Sequence, residues 1–289
     1  MKPSSYSKKR NELLSSFPSF IWLVILFVIP IGVIFAIAFK AADPYGGIGE
    51  EWTLSTIKEL FNPIYPAIFW RTIYLSLIST FIAILLALPV GYYIARTGKR
   101  MREIFLVLVI VPFWTNFLIR IIAWKVLLHP DGFIKKILVT LTLADPNSIL
   151  LYRPETVLIV LVYSHLPFAI LPIYAAAEKF DFSLIEAARD LGASRFQAFR
   201  KVFIPGISSG IVAAFIVVLI PSLGSYVIPE LVGGASVEMI GSKIAQRSFV
   251  DRNLPHASAL SALLMLAVFI PLFFAALWQR KAALTGKVK

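Results

Sequence analysis

The sequence predicts an all-α membrane protein of six transmembrane helices, with both termini on the cytoplasmic side. Three observations lead there. Of the 289 residues, 58% are hydrophobic and only 15% are charged, and the mean hydropathy is +0.82. A soluble domain carries about 25% charged residues, so a disordered chain is excluded and an ordinary soluble enzyme is disfavoured. The apolar residues gather into six stretches, each near the roughly 20 residues that a helix needs to cross a bilayer. Lys and Arg are shared unevenly between the connections. Helices are required because a lone strand leaves its backbone groups unsatisfied in lipid.

The first stretch, Pro18–Phe39, follows Lys8, Lys9 and Arg10. It exceeds the roughly 7–15 apolar residues of a secretory signal, so it reads as an uncleaved span, with Ala36 and Ala38 keeping cleavage open. The others are Phe69–Ala95, Ile104–Leu128, Thr156–Ala177, Gly206–Ile228 and Ala257–Trp278. They make one transmembrane domain over residues 18–278, between tails 1–17 and 279–289. Seventeen Lys and Arg lie in the tails and in the second-to-third and fourth-to-fifth connections, against eight in the other three connections. Basic residues favour the cytoplasm, which sets the orientation. The same rule explains the net charge of +12 without a nucleic-acid partner. The absence of cysteine excludes disulfides, thiolate metal sites and a Cys nucleophile.

The fourth-to-fifth connection, Glu178 to Pro205, carries the most information. Ser183 and Glu186 have the spacing of a capping box, in which the hydroxyl accepts from the third helical N–H and the carboxylate reaches back to the cap. Gly192 sits where a left-handed residue ends a helix, so the spacing predicts a short helix over Leu184–Leu191. Ser194 and Gln197 form a second box. Phe196, Phe199 and Phe203 then share one face of an amphipathic segment at the membrane surface. Pro205 opens the fifth span, in a first turn where its missing N–H costs nothing. A capped connector explains Ser183, Glu186 and Gly192 with no partner. It does not explain Leu184, Ile185, Ala187, Ala188 and Leu191 on a short cytoplasmic helix, which suit insertion into a partner's groove.

These residues resemble the EAA motif of ABC importer permeases: Glu186-Ala187-Ala188, three residues, Gly192, nine residues, then Val202-Phe203-Ile204-Pro205. The family pattern ends I–x–L–P, so Val202 and Ile204 are conservative departures. The resemblance implies that the segment 183–205 is a coupling helix docked on a separate ATP-hydrolysing subunit. Glu186, Ala187, Ala188, Gly192, Ile204 and Pro205 take the motif's positions. It implies a non-catalytic permease in the bacterial inner membrane, with no cofactor of its own; ATP and Mg belong to the ATPase, and the chain contains no GxxxxGK[ST] loop. The partners implied are a second permease forming a heterodimer, two ATPase subunits and an extracytoplasmic substrate-binding protein. The stretches Pro112–Trp124, His129–Ile134, Ile220–Gly234 and Leu254–Ser261 are similar to spermidine/putrescine permeases, most of all the first permease subunit. Permeases for thiamine, ferric iron and other small solutes share this architecture.

A polyamine is a polycation, so its route calls for carboxylates or aromatic faces. The six stretches hold no Asp or Glu. The candidates are Asn116, Trp124, Tyr163 and Tyr226, with Glu230 just beyond the fifth stretch. Against them, Trp and Tyr commonly anchor at interfaces, and Glu230 also reads as a simple outer-loop charge. Arg120 is the one deep charge. It would repel a polycation, so a structural role is expected, bonding carbonyls or a carboxylate of the companion permease. His165 reads as a hydrogen-bonded residue near a proline kink, and nothing orients it into a Ser–His pair with Ser164 or Ser222. Pro112, Pro167, Pro172, Pro221 and Pro229 are expected to interrupt helices. A self-sufficient secondary transporter would show inverted repeats or embedded carboxylates, and neither is evident.

Overall fold

A computed structural model describes residues 17–284; the basic N-terminal tail and the end of the C-terminal tail, on which part of the orientation rests, lie outside them. The helices are α1 (Phe17–Ala38), α2 (Ser55–Glu59), α3 (Ile64–Arg96), α4 (Lys99–Ile110) and α5 (Phe117–Leu127). They continue as α6 (Phe133–Thr140), α7 (Pro154–Glu178), α8 (Ser183–Asp190), α9 (Arg195–Gly206), α10 (Ser208–Leu223), α11 (Ile240–Ala245) and α12 (Leu254–Leu284). Among the described residues, α1, α3, α7 and the Leu254–Pro271 part of α12 are long and apolar enough to cross a membrane unbroken.

The chain is not all-α. Lys40–Ala42 (β1) and Ile48–Trp52 (β2) pair antiparallel after α1. The turn between them is Asp43-Pro44-Tyr45-Gly46-Gly47, in which Asp43 Oδ1 accepts from the Tyr45 N–H at 2.8 Å. Gly46 and Gly47 have φ of +98° and +107°, values that only glycine adopts without strain. Among the described residues, this hairpin belongs to a compact unit made of residues 17–66 and 244–284. Within it α12 packs on α1 and α2, and His256 Nδ1 lies 3.1 Å from Glu59 Oε2.

The other unit is Ala67–Lys243. The third and fifth predicted spans are not straight helices there. α4 and a following 3₁₀ turn, Val111–Trp114, meet α5 at 87°. Pro112 sits in that turn, Thr115 is extended, and Asn116 Oδ1 accepts from the N–H groups of Leu118 and Ile119 at 2.8 and 3.4 Å. An N-cap starts a new helix rather than continuing the old one. α9 and α10 meet at 72°, hinged at Ile207. Pro205 therefore ends the segment before the bend instead of opening the span. Ahead of it, Phe199–Phe203 is widened to a π turn. A proline ring clashes with the carbonyl four residues back, and widening gives it room; Val24–Val28 widens in the same way before Pro30.

Pro167 and Pro172 do not interrupt α7, which runs unbroken through both. The stretch Pro221–Gly234 is bent: α10 ends at Leu223, and a separate helical turn covers Pro229–Gly233.

Close backbone approach organises this unit. A side-chain carbon placed on Gly210 of α10 would lie 2.4 Å from Ala176 Cβ and 2.8 Å from the Pro172 carbonyl of α7. Gly210 and Ala214 lie four residues apart and are both buried, the small-xxx-small pattern of tight membrane helix pairs. Four hydroxyls on α3 are also buried. Thr72 and Thr80 donate to carbonyls one turn earlier on the same helix, and Thr72 Oγ1 accepts from the Ile240 N–H at 2.8 Å.

Lys135 on α6 is 2% exposed. Its ammonium donates to the Asp145 carbonyl, the Ser148 carbonyl and Ser148 Oγ at 2.5, 2.7 and 2.6 Å. Lys135→Met is expected to cost about 2 kcal/mol, because charge-assisted bonds are lost and their acceptors are left unsatisfied. Thermal unfolding of the purified chain measures this, and an unchanged midpoint would count against the anchoring role.

Candidate coupling helix and solute route

The predicted two-turn helix is present as α8, eight residues long. Its first cap is not the expected one. Ser183 is already helical and makes no box with Glu186; instead its N–H donates to Asp181 Oδ1 at 3.0 Å. Two candidate caps two residues apart compete here, and the carboxylate, the stronger acceptor, takes the position. The Ser183 hydroxyl and N–H hold the Asp181 carboxyl below its ordinary pKa. A depressed carboxyl pKa stabilises the fold above its unfolded value, and that stability is lost as pH falls through the folded value. Both lie in the acid range. Uptake is therefore expected to show no transition attributable to this cap between about pH 5 and pH 8, whereas Asp181→Ala should lower uptake across that whole range. A pH profile of wild type and variant measures both.

The other end behaves as the spacing predicts. Gly192 has φ +89°. Its N–H donates to the Arg189 carbonyl at 2.9 Å, and Ala193 N–H donates to the Ala188 carbonyl at 3.0 Å. These two bonds form a Schellman motif. The Ser194–Gln197 box closes with bonds of 3.2 and 2.9 Å.

Ile185 points inward at 5% exposure, while Leu184 and Leu191 are 50% and 89% exposed. Ala187 is exposed between them. Ile185, with the half-buried Ala188 beside it, fixes the helix on the core, and an apolar strip is left uncovered. The seat is aromatic. The Tyr92 ring of α3 meets Phe182, Phe199 and Phe203 at 5.8, 5.4 and 4.8 Å. Arg96 lies over Tyr92 and Phe182 and comes within 4.0 Å of Glu186 Oε1. Phe196 does not share the buried face of Phe203; it is 70% exposed, whereas Phe203 is fully buried. The π turn changes the rotation per residue, so a 3.6-residue periodicity misplaces it. Ile204 is half-buried and Pro205 exposed.

Of the route candidates, Trp124 on α5 and Tyr163 on α7 come together edge to face, 5.3 Å between ring centres. Tyr226 and Glu230 lie one helical turn apart, joined by the Glu230 N–H donating to the Tyr226 carbonyl at 3.1 Å, and both are exposed. Among the described residues, no ring contact or hydrogen bond joins these two to the Trp124–Tyr163 pair. Asn116 is engaged as the α5 cap. Arg120 bonds no carbonyl through Nε or Nη1; its guanidinium instead covers the Phe113 ring at 4.1 Å, reaching back across the 87° bend. His165 Nδ1 donates to the Leu161 carbonyl at 2.8 Å. That nitrogen is thus no base for Ser222 Oγ, 3.5 Å away. The Gly210 contact and the Lys135 anchor escape sequence reasoning: a small residue in an apolar run and a lysine in a polar connection both look ordinary.

Apolar helices of this length, with two of them broken, define a multi-pass membrane protein. Residues 87–282 match the family described as binding-protein-dependent transport system inner membrane component. The chain is 36% identical over 255 residues to the spermidine/putrescine transport system permease protein PotB of Haemophilus influenzae, covering 87% of this chain and 89% of that one. It is 33% identical over 268 residues to PotB of Escherichia coli K12, covering 93% and 97%. A chain in the crystal structure of a bacterial alginate ABC transporter, in complex with an alginate pentasaccharide-bound periplasmic protein, superposes with a TM-score of 0.71 over 96% of both chains. At 19% identity that likeness bears on the fold alone. The chain belongs to the family of inner-membrane components of binding-protein-dependent transport systems. It is a multi-pass inner-membrane permease subunit, and ATP hydrolysis resides on a different subunit.

Proposed function

We propose that this chain is the first permease subunit of an ATP-driven polyamine importer, and that α8 is the lever through which ATP hydrolysis moves it. The observation that carries the coupling reading is the uncovered strip of Leu184, Ala187 and Leu191 on a helix capped at both ends. Rigid caps transmit force, and exposed leucines in water call for a cover. The relatives named above support spermidine or putrescine as the solute in preference to thiamine or ferric iron. In this reading the chain crosses the membrane six times with both termini inside, α4–α5 and α9–α10 each serving as one bent span. A second permease completes the pathway, a binding protein delivers the solute, and two ATPase subunits carry ATP and Mg²⁺. When the ATPases close, each pulls a docked α8, and the spans rock from inward-open to outward-open. Trp124 and Tyr163 supply π faces for a passing ammonium group, and Glu230 supplies a carboxylate at the outer end.

The experiment is solute-stimulated ATP hydrolysis by the reconstituted complex, comparing spermidine, putrescine, thiamine and ferric iron, each with its binding protein. Stimulation by a polyamine is the expected result. Stimulation by thiamine or iron alone overturns the solute assignment and leaves the coupling reading standing.

A further inference from the structure

Two cavities in the Ala67–Lys243 unit adjoin on α3, the first of them reaching α8. One, of about 720 Å³, is lined by Arg96, Arg189 and Arg195 and by the rings of Tyr92, Phe196 and Phe199. The other, of about 400 Å³, runs along α3 and α4 between Val90, Ile94, Phe105, Leu108 and Val109. Both include Pro89 and Tyr93, so they adjoin across these two residues of α3. Its charge is one-sided. Three arginines line the first cavity, and no Asp or Glu does. Arg96 donates to the Tyr92 hydroxyl at 2.9 Å and meets Glu186 only at 4.0 Å. Among the described residues, Arg189 and Arg195 form no ion pair. Two of the three arginines beside this aromatic cavity thus lack a counter-charge among the described residues, and the adjoining groove is apolar apart from Tyr93.

We propose that this groove binds an anionic glycerophospholipid, with the phosphate on Arg96, Arg189 and Arg195 and an acyl chain laid between α3 and α4. The guanidinium fork matches phosphate oxygens in pairs. The ordering of charge, then aromatic ring, then aliphatic groove across the two adjoining cavities is the order of groups along such a lipid. Tyr93 (62% exposed) and Leu108 (60% exposed) leave the apolar part open at the surface of two helices that the proposed function places in the bilayer. Neither free phosphate nor an acidic peptide has a use for that apolar half. Arg189 and Ile185 stand on α8 while Pro89, Tyr92 and Arg96 stand on α3, so a bound lipid ties the lever to a membrane-spanning helix. The transport rate then depends on lipid charge, whichever solute is carried.

The test uses the assembled complex in nanodiscs of phosphatidylcholine doped with photoactivatable phosphatidylglycerol, with adducts mapped by mass spectrometry. Adducts are expected at Tyr93, Phe105 or Phe196, competed away by unlabelled phosphatidylglycerol and not by phosphatidylcholine. Removing two basic contacts in the Arg189→Gln, Arg195→Gln double variant should reduce labelling by roughly 20- to 30-fold. Leu108→Trp fills the groove without touching the charges and should give a similar loss. Equal labelling by a phosphatidylcholine probe, or labelling unchanged in both variants, overturns the proposal. So does labelling seen only when the ATPase subunits are left out, because the cavity would then be a protein contact. The wild-type competition decides the matter even if a variant fails to assemble.

Discussion

Gly192→Val is expected to abolish ATP-driven uptake while leaving the chain in the membrane at its normal level. Nothing lies within 4 Å of a side-chain carbon placed at Gly192, so valine meets no clash inside the chain. The damage is to the backbone. At φ +89° a side-chain carbon crowds the following carbonyl, at about 1–2 kcal/mol for an ordinary residue, and a β-branched one fares worse. Relief requires leaving the left-handed region. That breaks the bonds from Gly192 to Arg189 and from Ala193 to Ala188. Leu191 then turns away and the join to the Ser194 box shifts. Since about 1.4 kcal/mol is tenfold in an equilibrium, loss of the cap should cut solute-stimulated ATP hydrolysis by an order of magnitude or more. Gly192→Asn, whose side chain tolerates this region, should retain most activity. Immunoblots of membranes, uptake assays and ATP hydrolysis measure the three parts, and normal uptake by the valine variant would remove α8 from the mechanism.

Gly210→Leu should act in the opposite manner, lowering protein level and uptake together. The 2.4 Å and 2.8 Å approaches to Ala176 and Pro172 involve a side chain with no freedom and a backbone carbonyl, so neither neighbour can step aside. α7 and α10 must separate, and overpacking of this kind costs about 3 kcal/mol. The buried cluster that includes Ala169, Ile173, Ala214 and Val218 would open with them. Thermal unfolding in detergent measures the loss. Gly32→Ala, with open space around it, should leave the midpoint unchanged. Equal midpoints for both variants would show that the helix pair does not depend on this contact.

Long features were legible in the residues and short ones were not. Hydropathy identifies α3 and α7 because nothing interrupts their apolar runs. The same measure passes straight through Thr115 and Asn116, since Phe117–Leu127 is still apolar on average despite Arg120 and Lys125; hydropathy records burial in lipid and carries no direction. The local signals were present: Pro112 followed by Asn116 marks a stop and a new cap, and Asp43-Pro44-Tyr45-Gly46-Gly47 has hairpin-turn chemistry. At α8 the length and the Gly192 ending follow from spacing. The choice of Asp181 over Ser183 does not, because both residues can cap and only three-dimensional reach separates them. Phe196 was misplaced by a π turn, whose cause, Pro205, lies two residues beyond it. The pairing of Trp124 with Tyr163 joins two helices and has no local signature at all.

Because the chain contains no cysteine, one introduced thiol reports on one position alone. Ala187→Cys stands on the exposed strip of α8, and Trp70→Cys, exposed near the start of α3, serves as the control. With a thiol–amine crosslinker and the assembled complex, Ala187→Cys should form an adduct with the ATPase subunit whose yield changes on adding ATP, and Trp70→Cys should form none. Full uptake by the Ala187→Cys complex, with no ATPase adduct at that position, would contradict the docking of α8.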